Sequence, residues 1–574
     1  MEMETTTETM TMEKEPLVTR NPNTKGGIRT LPFIIANEAF ERAASFGLGP
    51  NMIFYLTKEY NMETTRAANI ILIWSAATNL LPVAGAIVAD SYVGRYPMIG
   101  FGSIASLLGM VLLWLTAIFP AARPHPCGQL SDSCESPTMN QLMMLYASFG
   151  LMSIGAGGIR ASSAPFGADQ LDNLKNGGML QTYFGWYAVS TTVSYIVAVT
   201  CIVYIQDHLG WAVGFGIPVV LMLLSAVSFF LASPFYIKLK ANANLLTGLA
   251  QVAVASYKNR HVNLSCQATD EIYHQREASD LIMPTEKLRF LNKACVIRNP
   301  EQDLTPDGKA SNPWRLCTVD QVEELKTFIR VIPICSTGIM CFVNVSQGAL
   351  GAVQAKTMDR HITRNFEIPA GSLGIFMMIT LTLWIALYDR IIIPLASKIR
   401  GKPSYLSTKQ RMGIGLILSA ASMAAWAIVE SIRRELAIKE GFWDDPQAVL
   451  DMSVMWVLPH SILTGLAEAF YNVAMGEFLY CEFPKSMSSM AAGITGIALS
   501  VASMVASFIM TAVDSVTKKG GEESWVSNNI NKGHYDYYFW LLACLSMANF
   551  VYYLSCSKAY GPCKRVVKEG LCSL

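Results

Sequence analysis

The chain has 574 residues, of which 52% are apolar and only 15% charged, and its formal net charge is +1. A soluble protein carries about 25% charged residues, so charge has been removed over most of this length, and a balance so near zero excludes nucleic acid as a partner. Seven histidines without ligand spacing and thirteen cysteines without a C-x-x-C pattern give no metal site and no cofactor.

The first stretch, residues 1–28, is polar and Thr/Glu-rich, lacks a signal-peptide core, and reads as a disordered cytosolic tail. Apolar runs long enough to span a bilayer follow. Six come first: Leu31–Leu56, Ala67–Ala89, Met98–Phe119, Leu142–Ala161, Tyr183–Ile205 and Val213–Tyr236. A polar segment at 237–324 interrupts them, its apolar positions at 246–257 and 317–326 spaced as amphipathic helices on the inner membrane face. Six more follow: Leu325–Val353, Ser372–Ala396, Met412–Ser431, Val454–Tyr480, Met487–Val513 and Tyr537–Ser555. The expected fold is an all-α membrane protein of twelve helices. It divides into a six-helix bundle at 29–236, a cytosolic linker at 237–324, a second bundle at 325–556 and a cytosolic tail at 557–574.

Lys and Arg concentrate in the short loops on the side of the termini, which places both termini in the cytosol. Outer loops carry fewer, diluted by acids as in Arg433-Arg434-Glu435. Cys127 and Cys134 then flank an outer loop, where they form either a disulfide or two free thiols.

The chemistry begins in the first helix. Glu38, Glu41 and Arg42 stand at i, i+3 and i+4, hence on one helical face. A charge at mid-bilayer costs roughly 2.5–3.5 kcal/mol even on lenient scales, so the three must face a wet interior and compensate one another. Two carboxylates beside one guanidinium leave a net negative site, either able to take up a proton or serving as a structural ion-pair cluster. No nucleophile–base pair or metal cluster accompanies it, which argues against an enzyme.

Gly85-Ala-Ile-Val-Ala-Asp90-Ser-Tyr-Val-Gly94-Arg95 joins the second and third helices and resembles the loop signature of the major facilitator superfamily. Asp90, Gly94 and Arg95 read as a cytosolic gate, with a weaker echo at Tyr388-Asp389-Arg390. Glu38-x-x-Glu41-Arg42, Gly155-Ala-Gly-Gly-Ile-Arg160, Phe166-Gly-Ala-Asp169-Gln170, Phe366-Glu-Ile-Pro369 and Glu482-Phe-Pro484 together resemble the plant nitrate/peptide transporter family. That is the plant branch of the proton-coupled oligopeptide transporters. Three further segments are most similar to its first, low-affinity nitrate transporter subfamily. They are Gly26-Gly-Ile-Arg-Thr-Leu-Pro-Phe-Ile-Ile-Ala-Asn37, Asp207-His-Leu-Gly-Trp211 and Asn529-Ile-Asn-Lys-Gly-His534.

The resemblance implies proton-coupled symport by alternating access, at the plasma membrane, with low-affinity nitrate uptake as the leading function. A larger plant metabolite (hormone, glycoside or small peptide) and a nitrate-sensing receptor with little flux are the alternatives. It implies proton coupling at Glu38, Glu41 and Arg42, with the proton as coupling ion. It also implies a cross-bundle pair between Arg160 on the fourth helix and Glu468 on the tenth, either a switch that an anionic substrate would open or a static structural pair. The implied partners are a small anion, nitrate or organic, and the lipid bilayer, with the protein a monomer or weak dimer. Two positions depart from the family's best-understood nitrate transporter. Asn344 replaces its nitrate-reading histidine, and Met98 its phosphorylatable threonine. A neutral amide supplies no positive charge, and methionine cannot be phosphorylated.

Overall fold

The computed structural model describes residues 26–125, 135–171, 177–239, 245–262, 273–275, 283–306, 308–401, 406–483, 488–519 and 523–561. The 1–28 tail up to residue 25, the tail beyond 561, Cys127 and Cys134 lie outside the described residues.

The chain is a succession of long helices. In the first half these are α1 (Leu31–Leu48), α2 (Met52–Lys58), α3 (Thr64–Val88), α4 (Arg95–Ile118), α5 (Met139–Asp169), α6 (Gly177–Val197), α7 (Val203–Leu209) and α8 (Trp211–Leu231). The linker holds α9 (Leu245–Lys258) and the short α10 (Pro300–Asp303). The second half contains α11 (Val319–Ser336), α12 (Ile339–Val345), α13 (Gly348–Lys356), α14 (Gly374–Leu387), α15 (Ile393–Arg400), α16 (Thr408–Lys439), α17 (Leu458–Glu482), α18 (Ser488–Thr517) and α19 (Tyr535–Tyr560).

Among the described residues, nine helices are long and apolar enough to cross a membrane, and α11 with α12–α13 makes a tenth, bent by 46°. The two remaining members of the twelve-helix plan are α1–α2 and α17. These segments carry Glu38, Glu41, Arg42 and Glu468, and charged and other polar side chains lower their apolar signal.

Several boundaries differ from the sequence reading. Residues 317–326 do not form a separate surface helix: Thr318 caps α11 with a capping box to Gln321, and the helix runs unbroken from Val319 into the bundle. Its amphipathic first turns pack on α9 through Val252, Ala255, Val319 and Val322, with Leu291, Ala294 and Cys295 completing a small core outside the bundles. The ninth span continues past Ser431 to Lys439, so Arg433 is not in a loop but fully buried. Its guanidinium grips Glu430 with two bonds of 2.9 and 2.8 Å and reaches Asn531 at 2.8 Å.

Small residues set the helix spacing in the first bundle. A Cβ on Gly102 of α4 would sit 3.1 Å from the Gly158 Cα of α5, so the Gly155-x-Gly-Gly158 run is a packing surface. Beyond the far ends of the second-half helices, a two-residue strand β1 (Met358–Asp359) pairs in parallel with β4 (Leu450–Ser453). The strands β2 (His361–Thr363) and β3 (Phe366–Glu367) form a hairpin beside it.

Candidate functional site

Helix α1 supplies the site's charges. Arg42 Nε donates to Glu38 Oε1 at 2.8 Å and lies 4.0 Å from Glu41 Oε2, as the i, i+4 and adjacent positions allow. Helix α5 adds a second cation: Arg160 Nη2 donates to Glu41 Oε1 at 3.3 Å, and the same oxygen accepts from Ser45 Oγ at 2.7 Å. Both carboxylates are completely shielded from solvent. Arg160 therefore turns the net negative trio expected from sequence into a balanced set of two carboxylates and two guanidiniums. The ring of Phe46 lies 5.8 Å from the Arg42 guanidinium and 6.0 Å from that of Arg160, and stands edge-on to Tyr195 at 5.2 Å.

The expected Arg160–Glu468 pair is not formed in this conformation. Arg160 is held by Glu41 within its own bundle, while Glu468 accepts a hydrogen bond from Asn472 at 3.4 Å on its own helix. The physical reason is competition: the α1 carboxylate sits beside Arg160, and a cation bonded there is not available across the cavity.

Arg160 borders a cavity of about 520 Å³ between the bundles. Phe46 and Trp74 line it from the first bundle, and Asn344, Trp426 and His460 from the second. Asn344 is buried and donates from Nδ2 to Ser419 Oγ at 2.9 Å and to Ser546 Oγ at 2.8 Å. Those bonds occupy both amide protons, so Asn344 has no donor left for an anion.

At the end of the molecule where the described chain begins and ends, Arg95 Nε bonds Asp90 Oδ1 at 3.0 Å, and Arg95 Nη1 bonds both Asp169 oxygens at 2.7 and 2.8 Å. Gly94 makes the turn possible with φ +88°, a conformation other residues rarely adopt. Asp169 completes this ion-pair cluster; its motif is visible in the sequence, but its pairing with Arg95 is not. The side chain of Asp389, in the echo motif, lies outside the described residues.

Contacts between the bundles gather at the opposite end. Ser372 Oγ donates to Val199 O, Thr64 N to Asn528 Oδ1 at 2.6 Å, and Thr65 Oγ1 to Val526 O at 3.0 Å. Arg360 joins Asp207 of the first bundle at 3.5 Å and Glu367 of its own at 2.5 Å. Of these positions, only Asp207 and Glu367 fall within the sequence motifs.

Residues 96–526 match the profile described as "POT family". The chain belongs to this family. It is a multi-pass membrane protein of a transporter family and not an enzyme. Among its relatives, the Arabidopsis thaliana protein NRT1/PTR family 1.2 is 51% identical over 570 residues, covering 98% of this chain and 94% of that protein. The Arabidopsis thaliana protein NRT1/PTR family 1.1 is 50% identical, covering 97% and 95%. The POT-family fold is also that of solved structures. An auto-inhibited POT family peptide transporter superposes with a TM-score of 0.68 at 17% identity, covering 95% of this chain and 100% of that one. A POT family transporter in complex with 5-aminolevulinic acid gives 0.62 at 13%, covering 94% and 99%.

Proposed function

We propose that this POT-family chain is a proton-coupled symporter of an anionic solute, with Glu41 as the proton carrier and Arg160 as the anion's contact. The observation that carries this reading is the position of Arg160, bonded to Glu41 on one side and open to the cavity on the other. An anion entering the cavity competes with Glu41 for Arg160. When Arg160 turns to the anion, Glu41 is left buried with Arg42 alone to serve two carboxylates, and neutralisation by a proton removes the cost. Proton and anion thus favour each other's binding.

With the termini in the cytosol of a plasma-membrane protein, the clasp at Arg360, Ser372 and Thr64 closes the outer side, and the conformation is inward-facing. Return to the outward state requires those contacts to part while the bundles rock about the cavity.

Nitrate is the solute the sequence resemblance favours. The occupied amide protons of Asn344 and a cavity of about 520 Å³ with aromatic walls support an organic anion instead. The test is uptake of nitrate and of a panel of organic carboxylates into oocytes expressing the full chain at pH 5.5 and 7.5, with intracellular pH recorded. Uptake that grows at acid pH and acidifies the cell beyond water-injected controls supports symport, and binding without such uptake at either pH contradicts it.

A further inference from the structure

The cavity walls differ in what they leave unsatisfied among the described residues. On the first-bundle wall, Arg160 Nε and Trp74 Nε1 are buried without a hydrogen-bond partner, and both are donors. On the second-bundle wall, Asn344 Oδ1 is buried without a partner, and it is an acceptor. The orientation of that amide is fixed by its neighbours: Ser546 Oγ spends its proton on Leu542 O at 2.7 Å, so it can only accept from Asn344 Nδ2.

His460 adds to the same wall. Its Nδ1 lies 3.2 Å from Ser422 O and 2.8 Å from Ser422 Oγ, and its ring stacks on Trp426 at 4.2 Å between centroids. Assigning Nδ1 as the donor to Ser422 O, with the Ser422 hydroxyl donating to His460 O at 3.1 Å, leaves Nε2 a lone pair. Among the described residues bordering the cavity there is no Asp or Glu. The acceptors on this wall are therefore neutral.

Resting on the proposal that the cavity binds an anion, we propose that the preferred ligand is an organic carboxylate bearing a neutral hydroxyl remote from its charge. The carboxylate faces Arg160 and Trp74, and the hydroxyl donates to Asn344 Oδ1 or His460 Nε2, with the aromatic walls covering the body between. An ammonium at the far end would lack a counter-charge on the wall, and nitrate would leave the acceptors unused.

Binding to the purified full-length protein in nanodiscs tests this without relying on proton coupling. The probes are 3-(4-hydroxyphenyl)propanoate against 3-phenylpropanoate, 4′-hydroxybiphenyl-4-carboxylate against biphenyl-4-carboxylate, and nitrate. In at least one pair the hydroxylated member should bind about 5-fold tighter, as one added hydrogen bond allows. His460→Phe, which keeps the stacking, or Asn344→Leu should reduce that preference, and His460→Gln should retain part of it. Equal affinities within both pairs, nitrate binding as tightly as the hydroxylated probes, or a preference surviving both His460→Phe and Asn344→Leu would overturn the proposal. Should Asn344→Leu fail to fold, the His460 variants decide alone. Loss of symport with the hydroxyl preference intact would count against the proton mechanism and in favour of this ligand class.

Discussion

Arg160 and Glu41 lie 3.3 Å apart on different helices of one bundle, and the cation's other face borders the inter-bundle cavity. The pair connects a buried acid with the space where a solute would sit. Removing one partner leaves the other charge uncompensated, typically a cost of about 3–5 kcal/mol for a buried pair.

Arg160→Ala should therefore abolish anion uptake while the protein still reaches the cell surface. Arg160→Lys should keep partial uptake, because an ammonium retains the charge without the planar fork. Radiolabelled uptake with surface biotinylation separates the two effects, and normal uptake by Arg160→Ala would contradict the assignment.

The Arg360–Asp207 contact should contribute less than about 1 kcal/mol, since its aspartate is partly exposed. Arg360→Ala should raise the population open at that end by no more than about fivefold. Labelling of a Ser75→Cys variant by an impermeant thiol reagent from outside reports the change; no increase in rate would show that the contact does not hold the clasp.

Arg433→Ala should destabilise the second bundle by about 3–5 kcal/mol, because Glu430 is then left buried without its cation. Neutralising both partners together, Glu430→Gln with Arg433→Met, should recover much of the loss. Thermal unfolding in detergent followed by size exclusion measures both. A single variant as stable as the parent would mean that the pair is dispensable.

Burial pushes the Cys295 and Cys317 thiols up to about 12. Both should resist maleimide at pH 7.5 until the linker unfolds. Their raised values mean the folded linker holds these protons more tightly than the unfolded chain, so its stability should fall as pH rises past about 8.5. Mass spectrometry of labelled peptides across pH checks this, and rapid labelling at neutral pH would contradict the buried core.

The twelve-helix plan was legible because bilayer spans need long apolar runs, and the Glu38/Glu41/Arg42 face because helical spacing is local. Arg160's choice of Glu41 over Glu468 was not legible, since it depends on how α5 packs on α1. Arg433 was misplaced for a related reason: charge at the end of an apolar run looks like a loop, yet the helix continues and Glu430 one turn earlier neutralises it. Asn344 could be located from sequence, but the direction of its amide depends on Ser419 and Ser546, which come from other helices.

The most direct measurement compares Glu41→Gln with the parent in two assays on the anion the parent accumulates most strongly. One is accumulation driven by a pH gradient, and the other is exchange of labelled for unlabelled anion without a gradient. Loss of the first with retention of the second is the predicted result, because the variant mimics the protonated carrier. Undiminished gradient-driven accumulation by Glu41→Gln would contradict the account.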